Sequence, residues 1–292
     1  MKALKVTKMS GSGNDFIIID NRFDLLKGVS LPNLARILCQ RRKAVGADGL
    51  ILVENSKVAN FKWRFFNADG SEAEMCGNGG RCVSRFAVIK GIAPSRLTFE
   101  TLAGIIHAEV KNRKVKLQLP PPTGLKLNQK ILVESKTYQI NVINTGVPHA
   151  VLVVENLEEF PVKKLGEKIR FHPIFQPSGT NVNFIEVIDK FSLKIRTYER
   201  GVEDETLACG TGSVAAALIA SALNLVKSPV GVKTWGGEVL TIYFEKNLEN
   251  SFSRVYLQGD TCLVFEGELG EDLLEELSFG QNYPAGSEII LI

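Results

Sequence analysis

Cys76-Gly77-Asn78-Gly79-Gly80-Arg81-Cys82 returns 133 positions later as Cys209-Gly210-Thr211-Gly212-Ser213, and that recurrence decides how the rest of the chain is read. Outward from the two motifs the register holds without a gap: Gly13 falls on Gly146, Gly46 on Gly179, Glu72 on Glu205, Thr101 on Thr234 and Gly104 on Gly237. Scattered glycines can match by chance, but a constant register that also carries a local C-G-x-G motif marks two copies of one unit. The expectation is two similar domains related by a pseudo-twofold axis. One half spans 1–122 and carries Cys76, the other spans 123–275 and carries Cys209, and 276–292 packs back on the first half.

The elements of each copy follow from residue type and period. Phe16 to Asp20, Leu50 to Glu54, Phe61 to Phe66 and Val115 to Leu119 are short, β-branched or aromatic, and bounded by Gly, Asn or Pro. Val151 to Val154, Asn183 to Val187, Leu193 to Tyr198 and Leu240 to Phe244 read in the same way, as strands. A helical pattern follows each C-G-x-G: Val83, Phe86, Ala87 and Lys90, stopped by Gly91, and then Val214, Ala217, Leu218, Ser221 and Leu225. The second is apolar nearly all round, so it belongs inside its domain. A further helix is expected from Leu31 to Gln40 with Ser30 as its cap. The fold class is α+β, each half a curved, mainly antiparallel sheet or barrel wrapped around a central helix.

Composition removes several function classes. The 292 residues are 45% hydrophobic and 23% charged with a net charge of +3, and no basic run exceeds Arg41-Arg42-Lys43. A nucleic-acid or acidic-membrane partner is not expected. The longest apolar stretch, Val214 to Val226, is interrupted by Ser221 and Asn224 and falls short of the roughly 20 residues that span a bilayer. With no signal-peptide pattern at the start, the protein is placed in the cytoplasm. Five scattered cysteines without a C-x-x-C give neither a disulfide framework nor a zinc cluster, so no metal is expected. Cys39, Cys82 and Cys262 read as small buried hydrophobes.

Cys76 and Cys209 read differently, because each immediately precedes a glycine-rich turn that opens a helix. There the first-turn N–H groups and the positive end of the helix dipole stabilise a thiolate. The same amides can cradle a carboxylate, and Gly77, Gly79, Gly210 and Gly212 let it approach the backbone. Removing an α-proton develops negative charge on an adjacent carboxylate, and fixed amides stabilise that charge. Inverting a stereocentre needs a base on one face and an acid on the other, which one thiol from each half would supply. Gly11-Ser12-Gly13 lacks the third glycine of a dinucleotide fingerprint, and no phosphate-loop motif occurs.

With these motifs stand Gly13-Asn14-Asp15-Phe16, Gly46-Ala47-Asp48-Gly49, Asn67-Ala68-Asp69-Gly70-Ser71, Pro148-His149, Asn181-Val182-Asn183-Phe184, Tyr198-Glu199-Arg200-Gly201 and Ala208-Cys209-Gly210-Thr211-Gly212. Together, and in this order over essentially the whole chain, they resemble the diaminopimelate epimerases. The resemblance implies a cofactor-independent enzyme that interconverts LL- and meso-2,6-diaminopimelate in lysine synthesis and peptidoglycan precursor supply, as a homodimer. It implies catalytic roles for Cys76 and Cys209, with Cys76 taking the proton from the LL isomer. Gly77, Asn78, Gly210 and Thr211 would hold the reacting carboxylate, and Asn14, Asn67, Asn181, Glu199 and Arg200 the rest of the zwitterion. His149 and Glu199 would tune cysteine ionisation, while Asp15, Asp48 and Asp69 would shape turns.

The chain departs from the family pattern at Val147, where an Asn usually precedes Pro-His, so looser recognition of the distal carboxylate is expected. The runner-up enzyme is a related cofactor-independent racemase acting on glutamate or proline, against which Asn67, Asn181, Glu199 and Arg200 argue, since a short substrate would leave them unpaired. A non-catalytic amino-acid binding protein would keep the amides and have no need of the thiols.

Overall fold

The computed structural model describes residues 4–279. The chain separates into two compact units, Met1–Leu117 with Asp260–Ile292, and Gln118–Gly259. The first contains β1 (Lys5–Gly11), β2 (Asn14–Asp20), α1 (Leu31–Leu38), β3 (Gly49–Glu54), β4 (Phe61–Asn67) and β5 (Glu72–Ala73). It continues with α2 (Gly77–Ile89), β6 (Arg96–Thr101), β7 (Gly104–Lys111) and β8 (Lys114–Gln118). The second contains β9 (Thr123–Val133), β10 (Lys136–Asn144), β11 (Pro148–Val153), α3 (Val162–Arg170), β12 (Asn181–Asp189) and β13 (Ser192–Glu199). It is completed by β14 (Asp204–Thr206), α4 (Gly210–Ala222), β15 (Val230–Lys233), β16 (Val239–Lys246) and β17 (Phe252–Asp260). The chain then returns to the first unit with β18 (Cys262–Glu268) and α5 (Glu271–Phe279).

Each unit runs through the same connections. In the first, β1–β2 is antiparallel, β2–β3 parallel, β3–β4 antiparallel, β4–β6 parallel and β6–β7–β8 antiparallel. In the second, β10–β11, β11–β12, β12–β13, β13–β15 and β15–β16–β17 repeat that series in order and sense. The matched glycines show why the register survives. Gly13 and Gly146, Gly46 and Gly179, and Gly104 and Gly237 all sit at positive φ, where a side chain would clash with the following carbonyl.

Both sheet faces are covered, which explains the near-continuous apolar runs. On the inner face of the first unit, Phe16, Ile18, Ile51, Val53, Trp63 and Phe65 enclose Cys82, Val83, Phe86 and Ala87 of α2. On its outer face Ile17, Ile19, Leu50, Leu52 and Phe66 meet Leu34, Ala35 and Leu38 of α1. In the second unit Val151, Ile185 and Ile195 surround α4, while Ala150, Leu152, Val182 and Phe184 meet Leu165 and Ile169 of α3. The apolar helix expected from its sequence is α4, buried from Gly212 through Ala222. No helix among the described residues is long and apolar enough to cross a membrane.

Three details differ from expectation. Ser30 holds the cap position of α1, but its hydroxyl makes no capping bond, and the helix closes at Leu38 with Cys39 as its last cap. The β9–β10 hairpin was not foreseen, because Asn128-Gln129-Lys130 breaks the apolar character of β9 with three polar residues. Residues 260–275 were expected with the second half, yet β18 pairs antiparallel with β1, and Leu273 and Leu274 pack beside Val6 and Leu269 of the first unit. The segment 276–292, expected to pack back on the first half, lies outside the residues whose packing is described.

Candidate active site

Cys76 caps α2. Its backbone is extended (φ −139°, ψ 118°), and the third residue of the helix, Gly79, donates its N–H to Sγ at 3.5 Å. The sulfur therefore stands where a Ser or Asp oxygen ordinarily caps a helix. The Cys76 carbonyl accepts from Gly80 N–H at 2.8 Å. Just upstream, Glu72 receives the Arg64 fork at 2.7 and 2.9 Å, a bidentate pairing that pins the strand leading into the cap. Cys76 is half-buried.

Around this helix start the first unit gathers part of the expected set. Asn78 donates to Asn14 Oδ1 at 2.7 Å, and Asn14 donates to Asp48 at 2.9 Å. Asn78 in turn accepts from Arg81 at 3.0 Å, and Arg81, fully buried, also donates to Ser12 Oγ. Asn14 and Asn78 thus form one chain of amides beside Gly77, tied by a buried cation. Asn67 ends β4 on the same face as Phe65 and bonds Ser71, its Nδ2 to Oγ at 3.0 Å. Asp15 pairs with Lys8 at 2.8 Å and with Arg41 at 2.6 Å. Burial opposes ionisation there, but those two cations hold its carboxyl down at about 2. Asp69 accepts from Ser71 N–H at 2.8 Å, a turn contact.

In the second unit Cys209 caps α4 with a similar extended backbone (φ −124°, ψ 112°), and its Sγ lies 3.6 Å from Thr211 Oγ1. Its carbonyl accepts both N–H and Oγ of Ser213 at 2.9 Å. Glu205, matched to Glu72 by the repeat, takes the Arg196 fork at 2.6 and 2.7 Å. Thr145 Oγ1 donates to the Thr211 carbonyl at 3.0 Å and so fastens the β10–β11 turn, where Val147 sits half-buried, to the start of α4 beside Gly210.

Asn181 and Arg200 are brought together: Asn181 Oδ1 accepts from the Arg200 backbone N–H at 2.8 Å, while the Arg200 guanidinium donates to Ser178 O at 2.9 Å. Glu199 accepts from Thr206 Oγ1 at 2.9 Å, and burial raises its carboxyl above the ordinary range although the Thr206 bond opposes the rise. His149 is 0% exposed and bonds neither of these. Its Nδ1 lies 3.0 Å from Asn183 Nδ2. Asn183 belongs to a quoted motif, but sequence reasoning gave it no role. The signal was there, in an amide set between Val182 and Phe184 in a buried stretch of β12.

Burial, with the nearby Arg200 charge adding to it, pushes the His149 imidazole down from 6.5 to about 3. The folded protein therefore refuses a proton that the unfolded chain accepts. The resulting stability is complete above 6.5 and is lost as pH falls through that window toward 3. Between about pH 7 and 5 the urea midpoint should fall more steeply for the wild-type protein than for His149→Gln. Equal slopes would place the proton uptake elsewhere.

The profile of the family described as Diaminopimelate epimerase matches residues 6–123 and 141–261. The chain is 51% identical over 280 residues to the diaminopimelate epimerase of Aquifex aeolicus strain VF5, covering 92% of this chain and 98% of that one. It is 43% identical over 277 residues to that of Archaeoglobus fulgidus, covering 90% and 95%. Among solved structures, a phenazine biosynthesis protein of the PhzF family from Bacillus anthracis superposes with a TM-score of 0.68 at 20% identity, covering 92% of this chain and 100% of that one. A probable proline racemase from Agrobacterium radiobacter K84 gives 0.67 at 15%, covering 92% and 93%. At such identities the two structures are alike in fold alone.

Proposed function

This chain belongs to the diaminopimelate epimerase family, and from that premise we propose that it interconverts LL- and meso-2,6-diaminopimelate without a cofactor, by proton transfer between Cys76 and Cys209. The observation that carries this reading is the pair of caps: each cysteine, extended in its own backbone, caps a helix three residues after a short strand, at matching places in two units of one topology. As the Cα–H bond of the LL isomer breaks, its proton passes to the Cys76 thiolate and the electron pair spreads into the carboxylate. The Cys209 thiol then gives its proton to the opposite face, and the roles reverse for the meso isomer. First-turn amides of Gly77, Asn78, Gly210 and Thr211, which have no intrahelical acceptor, hold that carboxylate as its charge grows.

Asn14, Asn67, Asn181, Glu199 and Arg200 bind the remainder of the substrate. Arg200 suits the distal carboxylate as a planar donor fork, and Glu199 suits an ammonium. His149 and Glu199 bias which thiol carries the proton. The enzyme works in the cytoplasm as a homodimer. Incubating reduced protein with LL-diaminopimelate in deuterium oxide should place deuterium on the α-carbon as meso product appears, followed by NMR. Absence of both label and isomer would sink the reading, and racemisation of proline or glutamate in its place would redirect it to another substrate.

A further inference from the structure

Among the described residues, a buried polar cluster of the second unit joins His149 to two residues, Asn183 and Thr197, that no step above uses. His149, Asn183 and Thr197 share the inner face of β11, β12 and β13, as their alternation with Val151, Ile185 and Ile195 requires. Asn183 is fully buried and fully engaged. Its Nδ2 faces His149 Nδ1 at 3.0 Å and the Ala150 carbonyl at 3.2 Å, and its Oδ1 accepts from Thr197 Oγ1 at 3.0 Å.

The Ala150 carbonyl can only accept, so the atom of Asn183 facing it must be the amide nitrogen. That same NH2 group faces His149 Nδ1, which must then be the acceptor, and the ring proton is left on Nε2. Nε2 is buried and has no hydrogen-bond partner among the described residues. A buried donor left unmade is costly, so a structure that keeps one is prepared for an acceptor that arrives later.

The fold does not require polarity at these places. Strand pairing sets Phe16 opposite Gly49 and Ile51 opposite Phe65 in the first unit, as it sets His149 opposite Asn181 and Asn183 opposite Thr197 in the second. By strand pairing the counterparts of the polar trio are therefore Phe16, Ile51 and Phe65, all core residues, the last two 132 positions back rather than 133 because these strands are offset by one residue from the register of the flanking motifs. A Cβ placed on Gly79 would meet Ile51 and Phe16, and one placed on the matching Gly212 would meet Asn183 Oδ1. That same point is 3.2 Å from Cys209 Sγ, so Asn183 stands beside the cysteine cap.

We infer that Asn183 is a positioning residue for the Cys209 half of the site, holding His149 in the one neutral tautomer that presents Nε2–H as a donor to the reacting groups. His149 then acts as a fixed donor rather than as a base, and the two thiols of a symmetric fold stand in unlike surroundings, the one over an apolar layer and the other over a polar one. The depressed imidazole pKa agrees, since a ring that stays neutral keeps Nδ1 unprotonated and able to accept from Asn183. Ionisable groups nearby are few: β10 faces His149 with Ile143, β12 with Asn181 and Asn183, α4 carries no ionisable side chain beyond its Cys209 cap, and Arg200 supplies the charge that reaches the ring. The inference rests on the epimerase reading for its acceptor, but not for its tautomer.

The test is a long-range proton–nitrogen correlation on the reduced, nitrogen-15-labelled chain, whose three histidines make His149 readily assignable. Expected is an Nε2–H ring, unchanged between about pH 6 and 8. An Nδ1–H ring, or one that titrates in that range, overturns the assignment whether or not any variant folds. Asn183→Asp puts an acceptor where the donor was, as happens in reverse when a carboxylate behind a catalytic histidine is amidated. Nδ1 should become protonated, with kcat down about 10–100 fold, KM within about threefold and the near-ultraviolet circular dichroism of the wild type. A moved proton with unchanged kcat overturns the positioning role. Wild-type protein with the expected tautomer but no α-proton exchange would count against the epimerase reading alone.

Discussion

Cys76→Ala and Cys209→Ala are each expected to slow α-proton exchange and isomer formation by about a hundredfold to ten-thousandfold, the span that a positioned acid or base contributes. A single thiol can remove a proton and return it to the same face, but inversion needs delivery from the other side. Neither variant should therefore retain efficient epimerisation, although each keeps one cap intact. The helix start survives in both cases, because the Cys76 and Cys209 carbonyls, not only their sulfurs, receive the first intrahelical bonds. Loss of activity with an unchanged denaturation midpoint is the expected signature.

The other cysteines give the contrast. Burial pushes the Cys39 and Cys82 thiols up to about 12, so neither is a thiolate near neutrality, and Cys262 lies half-buried at the start of β18. Cys39→Ala, Cys82→Ala and Cys262→Ala should leave turnover per folded molecule largely intact. Deuterium incorporation and isomer ratio by NMR on reduced protein measure both sets. Comparable turnover in Cys209→Ala would refute the two-thiol mechanism.

What the sequence made legible is what repeats or what a backbone conformation demands. The C-G-x-G recurrence placed α2 and α4 at their first residues, and glycines at positive φ carried the register through the loops between. Short β-branched or aromatic runs bounded by Gly, Asn or Pro exposed the strands whose two faces meet an inner and an outer helix. Long-range return was not legible: β18 pairs with β1 across nearly the whole chain, and nothing local to Cys262–Glu268 says so. The β9–β10 hairpin was hidden because Gln129 pairs with Ile140 and Lys130 with Gln139 along a strand whose middle is polar. In the site, the cysteines and flanking amides were readable from local order. The partnership of His149 with Asn183 joins residues of two strands and shows itself in sequence only as a polar interruption of a buried run.

The repeat invites the expectation that matched residues tolerate the same change, and at Gly79 and Gly212 the structure argues otherwise. Ala in place of Gly inside a helix gains up to about 1 kcal/mol of intrinsic propensity, which each site must set against what the new methyl meets. At Gly79 it meets Ile51 Cδ1 at 3.2 Å and the Phe16 and Trp63 ring edges at 3.4 Å. These are side-chain ends that can give by a few tenths of an ångström, so Gly79→Ala should be close to neutral in stability and retain activity within about tenfold. At Gly212 it collides with Asn183 Oδ1 and meets Cys209 Cβ and Sγ at 3.2 Å. Asn183 cannot swing aside, because His149, Ala150 and Thr197 hold it from both ends of its amide. The start of α4 must move, carrying the Cys209 sulfur with it, or the amide must break its bond to His149. Overpacking of this kind costs about 1–3 kcal/mol, and a displacement near 1 Å at a reacting group costs about a hundredfold in rate. Gly212→Ala is therefore expected to lower both the urea midpoint and, by about a hundredfold, kcat, while Gly79→Ala does neither to a comparable degree. The reverse order, or equal effects at the two sites, would show that the contact between Asn183 and the Cys209 turn does not constrain the second thiol.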